Sequence, residues 1–358
     1  MYIIDQIKDN TLNIGIDGLV NTITQSKDSH KGAWPRIIQS MLQSQGYSHV
    51  HILNKDSKWD DYDAIIIDLG MEFQGTFNLF GGASDEVAIR LEQFYNYKGM
   101  LICYDNEFPS INEFVKSRYS AASDGFKILI DYDFNNKYVR NINSIYDSDK
   151  IILGDSHCIS QYRPGWNINR NDGQTLYSFL QKDLSNYLYP GNIDELVLYF
   201  GNIDIRHHLC RQNNPSMATL ALVNQYIEYV EDLLLEHPIK QITLVHTLPI
   251  ENELRRVPKS GWYKGSAYYG SREDRQLLVD IFNNRIDEVL QERHIIDDYS
   301  IIRYKHPKIY LNEHRELSFD VMEKPQSIHI NPKFYPWNLD ENIVNEFNHT
   351  KQNQEVLF

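Results

Sequence analysis

The chain has 358 residues, of which 42% are hydrophobic and 23% charged, and its formal net charge is −14. This length suits two domains that each bury their own core, and the composition is that of a globular protein. The negative charge argues against broad nonspecific binding of nucleic acid, which needs a cationic surface. No apolar run approaches the roughly 18–20 residues of a membrane span, so we expect no membrane partner.

Cysteine content and the N-terminus indicate the compartment. Cys103, Cys158 and Cys210 are too few and too scattered for a disulfide framework or a zinc site, and we predict no metal and no tightly bound cofactor. The first residues lack a basic region followed by an apolar core, so we expect no signal peptide. These features favour the cytoplasm, including that of an infected host cell.

The first half alternates strand and helix patterns, which is typical of a Rossmann-like domain. The predicted strands are 12–16, 49–53, 64–69 and 100–104, and the predicted helices are 34–45 and 85–97. The β-branched run at 64–69 is typical of a buried parallel strand. We therefore assign a Rossmann-like domain to 1–133 and a polar linker to 134–149.

A second alternating series predicts another α/β domain at 150–340, followed by a tail at 341–358. Its predicted strands are 150–153, 195–200 and 241–246, and its predicted helices lie near 174–187, 216–236 and 272–292. The irregular stretch 251–271 has the length of a lid or a binding loop. The predicted fold class is α/β, with two parallel-sheet domains and a cleft between them.

Three elements of the second half indicate nucleophilic chemistry. The strand at 150–153 runs into a Gly-Asp-Ser turn that brings the Ser156 hydroxyl to the end of the sheet. Gly201-Asn202-Ile203-Asp204 follows the next strand, and His329 stands near the end of the fold. A serine hydrolase needs a hydroxyl, a base and donors for the oxyanion, and loops at the ends of parallel strands can bring these together.

On these motifs, residues 150–335 resemble the SGNH (GDSL) hydrolase family. The resemblance implies an SGNH-like α/β domain with Ser156 as nucleophile, Gly201 as oxyanion donor and His329 as catalytic base. Two positions depart from the family pattern. Gln326 stands where the family has an aspartate three residues before the histidine, and Asp320 and Glu323 are candidate substitutes without the expected spacing. Ile203 stands where the family has an oxyanion-hole asparagine, with Asn202 one place away.

These departures leave two interpretations of the second half open. It is either a working Ser–His hydrolase or an SGNH-like scaffold whose strand-end loops bind another ligand. The cluster Arg206, His207, His208 and Arg211 is either an anion site, for which arginine offers a bidentate fork, or a charged helix start. The basic stretch with Arg255, Arg256, Lys259 and Lys264 is either a solvated loop or a local contact for double-stranded DNA.

Asp105 is the candidate base of the first half. It follows the predicted strand 100–104, and a carboxylate at a strand end is well placed as a general base. The alternative interpretation is an aspartate that caps the turn to Pro109. With Asn13-Ile14-Gly15-Ile16, Phe80-Gly81-Gly82 and Tyr104-Asp105, residues 12–110 resemble the N-terminal domain of phage DNA β-glucosyltransferases. The resemblance implies a GT-B fold and sugar transfer from a nucleotide donor to a hydroxymethylated base, with Asp105 as catalytic base.

Our first hypothesis is a nucleotide-sugar-dependent glycosyltransferase acting on hydroxymethylated bases of phage DNA. Its catalytic residue is Asp105, and its partners are a nucleotide sugar and double-stranded DNA held by the basic stretch. The alternative is an SGNH-type serine esterase or acyltransferase that uses Ser156 and His329, and a third interpretation is a noncatalytic binding protein. The predicted substrate- or donor-binding residues are Gly154, Asp155, His157, Gly201, Asn202, Asp204, Arg206 and His208.

Overall fold

The computed structural model divides the chain into two compact units, Met1–Asp147 and Ser148–Phe358. It describes residues 7–17, 30–54, 56–68, 97–104, 138–139, 148–171, 173–184, 193–258, 263–292, 300–324 and 327–335. Each unit contains a five-stranded sheet in which every recorded strand pair is parallel. The predicted α/β class with two parallel-sheet domains is therefore confirmed, while the cleft between them stays a prediction.

The sheet of the first unit has the strand order β2-β1-β3-β4-β5. Its strands are β1 (Ile14–Asp17), β2 (Val50–Ile52), β3 (Ala64–Asp68), β4 (Met100–Tyr104) and β5 (Tyr138–Val139). Helix α1 (His30–Ser44) contacts β1 and β2 and buries Trp34, Ile37 and Met41. The strand β5 falls inside the stretch 134–149 that the sequence assigned to a linker, because its backbone pairs with β4.

The sheet of the second unit has the order β10-β9-β8-β6-β7. Its strands are β6 (Lys150–Gly154), β7 (Asn167–Arg170), β8 (Glu195–Tyr199), β9 (Gln241–Val245) and β10 (Ser300–Tyr304). The chain adds β7 on one side of β6 and then β8, β9 and β10 on the other. The direction of winding thus reverses between β6 and β8, and in such sheets ligands bind at the carboxyl ends of the two strands where it reverses.

Three described helices of this unit pack on one face of its sheet. They are α2 (Leu176–Phe179), α3 (Pro215–Glu236) and α4 (Arg272–Glu292). Leu153 of β6, Leu198 of β8 and Leu244 of β9 belong to one buried cluster with residues of all three helices. Since side chains alternate between the faces of a strand, Ile152, Val197 and Thr243 point to the opposite face.

The structure differs from the sequence prediction at three elements of this unit. Strands β7 and β10 were not predicted, because Asn167-Ile168-Asn169-Arg170 is mostly polar and Ser300–Tyr304 is a short run without a clear flanking signal. The helix predicted near 174–187 is wrong in extent, since among the described residues the α-helix covers Leu176–Phe179 and 180–183 is turn, bend and irregular chain.

No helix among the described residues is long and apolar enough to cross a membrane. The described part of the chain also holds no group of three or more potential metal ligands. The assignment to the cytoplasm stays a prediction.

The start of α2 is capped by a buried carboxyl group from another loop. The Asp204 side chain accepts hydrogen bonds from the backbone N–H groups of Leu176 (2.7 Å) and Tyr177 (3.2 Å). Asp204 is only 1% exposed, and this burial raises its pKa to about 7 against a usual value near 3.8. The desolvation of the carboxylate outweighs the two hydrogen bonds that favour it.

Stability should depend on pH through Asp204. Between about pH 4 and pH 7 the folded state retains a proton that the unfolded state has lost, so stability falls as pH rises through this window. We expect the free energy of unfolding of the wild type to fall relative to that of Asp204→Asn by about 1 kcal/mol per pH unit between pH 5 and 7. Urea denaturation at pH 5, 6, 7 and 8 measures this, and parallel curves for the two proteins would contradict it.

The control is Asp194→Asn. Asp194 is partly exposed and pairs with Lys240 at 2.6 Å on the surface. Its removal should leave the pH dependence of stability close to that of the wild type, because exposed pairs contribute little.

Candidate active site

The turn after β6 presents Ser156 at the carboxyl end of the sheet. Gly154 permits this turn, because a Cβ atom there would lie 2.4 Å from the carbonyl oxygen of Tyr199 on the neighbouring strand. The next N–H, of Asp155, donates to that same oxygen at 3.2 Å, and the N–H of Cys158 closes the turn on Asp155 at 3.0 Å. The backbone of β6 thus stays against β8 until the residue before Ser156.

The end of β8 is equally constrained. Gly201 has a φ of +102°, and a Cβ atom there would lie 2.6 Å from the ring of Phe282 on α4. Asn202 is buried, and its side-chain oxygen accepts from the N–H of Leu248 at 2.9 Å, which fixes the loop after β9. Ile203 packs as a buried apolar side chain. The chain then forms a π-helical turn over Asp204–His208, a form that often accompanies functional sites.

His329 completes a nucleophile–base pair. Its Nε2 atom lies 2.9 Å from the Ser156 hydroxyl oxygen, although the two residues are 173 positions apart in the chain. The hairpin that carries His329 is held by an antiparallel bridge between Met322 and Ile330, and the N–H of Glu323 donates to the carbonyl of His329 at 3.0 Å. Two of the three predicted catalytic residues are therefore in hydrogen-bonding contact.

Glu323 brings a carboxylate close to His329. Its Oε1 lies 3.9 Å from His329 Nδ1, and its side chain is 3% exposed. The same oxygen accepts from the Ser327 hydroxyl at 2.8 Å, and Ser327 Oγ in turn accepts from the N–H of His329 at 3.2 Å. Asp320, the other predicted substitute, is exposed, and Gln326 lies outside the described residues. Sequence reasoning missed the contribution of Ser327, for which the sequence offers no specific signal.

Asp155 and His157 form a buried pair beneath His329. Asp155 Oδ1 lies 2.9 Å from His157 Nδ1 and accepts from the backbone N–H of His157 at 2.8 Å. The ring of His157 stacks on the ring of His329, with centroids 4.7 Å apart and planes inclined by 27°. Both residues were predicted to bind substrate or donor, whereas the structure places their side chains against each other, with His157 against the base.

Donors for an oxyanion are present at the two strand ends. In the described part of the chain, the backbone N–H groups of Ser156 and Gly201 have no recorded hydrogen-bond acceptor. The side chain of Asn202 is buried beside them and forms a hydrogen bond with the Tyr199 phenol. Groups of this kind are the donors that stabilise tetrahedral intermediates.

The predicted anion-binding residues are engaged within the protein. Arg206 is 7% exposed, and its Nε lies 3.5 Å from a Glu251 oxygen. His208 Nε2 lies 3.0 Å from the Tyr263 hydroxyl, while the ring of His207 stacks on Tyr263 with centroids 3.8 Å apart. Burial lowers the pKa of His207 to about 3, so this side chain is neutral at ordinary pH. These side chains hold Glu251 and Tyr263 against the π-helical turn.

The basic stretch is divided between buried and exposed residues. Arg255 pairs with Glu251 at 3.5 Å and its pKa falls to about 9, chiefly because of burial. Arg256 and Lys264 are exposed, whereas Lys259 and Trp262 lie outside the described residues. Contact of this stretch with DNA stays a prediction.

Two cavities lie at the carboxyl edge of the second sheet. The cavity at Ser156 measures about 10 Å³, which is room for about one water molecule. Its lining includes the apolar side chains of Ile159, Leu248, Ile330 and Tyr335. The second cavity, of about 230 Å³, lies after β9 and β10, and its charged residues Lys305 and Arg315 pair with Asp287 and Asp280 at 2.5 Å each.

The candidate base of the first unit, Asp105, lies outside the described residues, immediately after β4. Its predicted role is therefore left as a prediction.

Comparison with known proteins identifies no family. No family model and no curated protein matches the chain. One similar solved structure is a candidate platelet activating factor from Streptococcus pneumonia, with 14% identity, a TM-score of 0.40, and coverage of 78% of this chain and 99% of that one. Another is a gut microbial diltiazem-metabolizing enzyme, with 15% identity, a TM-score of 0.32, and coverage of 51% and 41%. Likenesses this weak carry no functional argument.

The glycine at the end of β8 offers a direct test of this geometry. We expect Gly201→Ala to lower the free energy of unfolding by about 2–4 kcal/mol, because the new methyl group meets Phe282 and the positive φ disfavours an L-residue. The matched control is Gly165→Ala, since Gly165 has a φ of +84° but nothing within 4 Å of a new Cβ. It should lose only about 1–2 kcal/mol. Equal losses in urea denaturation would contradict the tight packing at Gly201.

Proposed function

We propose that the second unit is a serine esterase or acyltransferase in which Ser156 is the nucleophile and His329 the general base. The observation that carries this proposal is the 2.9 Å contact between Ser156 Oγ and His329 Nε2 at the carboxyl edge of a parallel sheet. A hydroxyl is a weak nucleophile alone, and a neutral imidazole within hydrogen-bonding distance is the usual means of activating it.

In the first step the Ser156 oxygen attacks the carbonyl carbon of an ester, and its proton passes to His329 Nε2. The tetrahedral intermediate carries a negative oxygen, for which the N–H groups of Ser156 and Gly201 are the candidate donors. The His329 imidazolium then returns the proton to the departing alkoxide, which leaves as an alcohol. An acyl group remains on Ser156.

The second step repeats this chemistry with a new acceptor. Water or an acceptor alcohol gives its proton to His329 Nε2 and attacks the acyl-enzyme carbonyl, and Ser156 leaves with the proton returned by His329. Water completes an esterase reaction, and an alcohol completes an acyl transfer. The same residues serve both outcomes.

Glu323 supports the base by charge more than by a direct bond. For Nε2 to accept the proton of Ser156, Nδ1 must carry the other proton of the neutral ring, and Nδ1 faces Glu323 Oε1 at 3.9 Å. A carboxylate at this distance favours the imidazolium that forms in the transition state. A carboxylate can therefore face the base without standing at the sequence position where the family has its aspartate.

The size of the cavity at Ser156 bears on the substrate. The space of about 10 Å³ bounded by Leu248, Ile330 and Tyr335 is smaller than any acyl group, so an acyl group must displace these side chains, and the displacement grows with chain length. We therefore favour acetyl and similarly short acyl groups.

Glycosyl transfer, our first hypothesis, stays a prediction. Its base, Asp105, lies outside the described residues. Two of its predicted donor contacts, Arg206 and His208, are engaged with Glu251 and Tyr263. The described part of the chain therefore supports the serine-dependent function better.

Replacement of the nucleophile is the primary test. We expect Ser156→Ala to lower kcat for p-nitrophenyl acetate at least about 1000-fold, because the acyl-enzyme can no longer form. A fluorophosphonate probe should label the wild type at Ser156, as read by mass spectrometry of peptides. The matched control is Ser44→Ala in the first unit, where the hydroxyl only donates to Met41.

This test can overturn the proposal. If Ser156→Ala retains ester hydrolysis and the probe labels neither Ser156 nor any other residue, the nucleophile assignment is wrong. Loss of sugar transfer from a nucleotide sugar on changing Asp105, with Ser156→Ala fully active, would favour the glycosyltransferase.

The length of the acyl chain provides a second test. We expect kcat/KM to fall at least about tenfold from p-nitrophenyl acetate to the octanoate, because the longer chain has no space beside Ser156. Leu248→Ala should raise the relative rate with the butyrate, since Leu248 lines the cavity and is 4% exposed. Leu254→Ala, at a 66% exposed leucine, serves as control. A flat dependence on chain length in all variants would contradict the assignment of this cavity to the acyl group.

A further inference from the structure

We propose that Asp155 and His157 act as a positioning pair that orients His329 and stabilises its imidazolium. This inference rests on the proposed function, because it assigns a role to two residues behind the proposed base. It goes beyond that function by adding a second carboxylate–imidazole pair, whose imidazole stacks on His329.

The first observation is the geometry of the pair itself. Asp155 is fully buried and the side chain of His157 is 2% exposed, with Oδ1 and Nδ1 2.9 Å apart. Asp155 Oδ1 accepts the backbone N–H of His157 and lies within hydrogen-bonding distance of its ring Nδ1. Because a carboxylate oxygen only accepts, the hydrogen of this ring contact is on Nδ1, and in a neutral ring Nε2 then carries none. In the described part of the chain this Nε2 is buried without a partner.

The second observation is the stack on His329. Ring centroids 4.7 Å apart at an angle of 27° give an offset parallel pair, which holds the plane of the His329 ring while its Nε2 contacts Ser156. A neutral ring hydrogen-bonded to a carboxylate is electron-rich, and its face attracts the positive charge that His329 acquires during catalysis.

The third observation is the arrangement on the other side of the base. Glu323 Oε1 is 3.9 Å from His329 Nδ1 and also accepts the Ser327 hydroxyl at 2.8 Å. A carboxylate shared in this way and beyond direct hydrogen-bonding distance stabilises the imidazolium less than a dedicated partner does. The Asp155 carboxylate, paired with the stacked His157, is a second negative group that makes up for this weaker stabilisation.

Two other titratable groups near His157, Tyr199 and His306, are neutral. The phenol of Tyr199 on β8 lies with its ring centroid 6.2 Å from that of His157, and burial raises its pKa well above the usual value, so it stays neutral. His306, after β10, has its pKa lowered to about 3 by burial and is neutral as well. Among the described residues, Ser156, His157 and Glu323 contact or face the His329 ring.

The decisive measurement is the pKa of the His329 imidazole, obtained by NMR titration of the full chain labelled with ¹⁵N-histidine. His329→Gln identifies the resonance. Asp155→Asn removes the negative charge while its amide oxygen can still accept from His157. We expect the pKa of His329 to fall by about 0.5–1 pH unit in this variant, because the imidazolium loses a stabilising charge. The acidic limb of the kcat/KM profile should move to lower pH by a similar amount.

His157→Phe is the second variant, which keeps an aromatic ring for the stack but removes the donor to Asp155. It removes the carboxylate-bonded imidazole face that attracts the imidazolium, so it should also lower the pKa of His329. It should lower kcat about tenfold with KM within about twofold of the wild type. Asp194→Asn, which removes a surface charge at the Lys240 pair, is the control and should change neither quantity. Circular dichroism and thermal melting verify that each variant is folded.

The outcomes separate this inference from the proposed function. If both variants are folded and leave the pKa of His329 and the pH profile unchanged while Ser156 is still labelled by the fluorophosphonate, the positioning role is wrong and the hydrolase stands. If Ser156 is never labelled and Ser156→Ala stays active, the proposed function fails, whatever the titration shows.

Discussion

The parallel pairing of β6 with β8 is the constraint on which the candidate site depends. Gly154 brings the first strand so close to the Tyr199 carbonyl that no side chain fits between them, and the N–H of Asp155 extends the contact beyond the strand. The two strands therefore end side by side at the place where the winding of the sheet reverses. The position of Ser156 is thereby fixed by backbone hydrogen bonds, which a change of neighbouring side chains does not easily disturb.

Burial decides the charge of three ionisable groups at this edge of the sheet. The raised pKa of Asp204 and the lowered pKa values of His207 and His306 have the same first cause, which is the loss of water around the charged form. Arg206 pairs with Glu251 and thereby helps to hold a loop in place. The sequence places many ionisable residues after the strands, but only the Ser156–His329 pair, among those described, combines contact with partial exposure and a nucleophile.

The sequence is most informative where apolar periodicity and strand-end position coincide. The strands that begin at Ala64, Lys150, Glu195 and Gln241 and the helix Pro215–Glu236 were predictable because buried runs and long amphipathic patterns dominate there. Strand β7, with two asparagines and an arginine, forms because its neighbour β6 supplies the hydrogen bonds, which no local pattern reveals. Ser156 and His329 were predicted from motif order, whereas the stack of His157 on His329 depends on ring positions that only the folded chain defines.

The carboxylate that faces His329 shows what a rule on residue spacing leaves out. A rule that asks for an acidic residue three positions before the histidine assumes one local conformation between them. Here the chain forms a hairpin in which Met322 bridges Ile330, so the residue opposite His329 is six positions earlier in the chain. The longer side chain of Glu323 reaches back toward Nδ1 to a distance of 3.9 Å, and the same oxygen accepts the Ser327 hydroxyl. Because Glu323 stabilises the His329 imidazolium only weakly, a second negative charge near the ring adds to that stabilisation. The Asp155–His157 pair lies against the His329 ring, where such a charge would act.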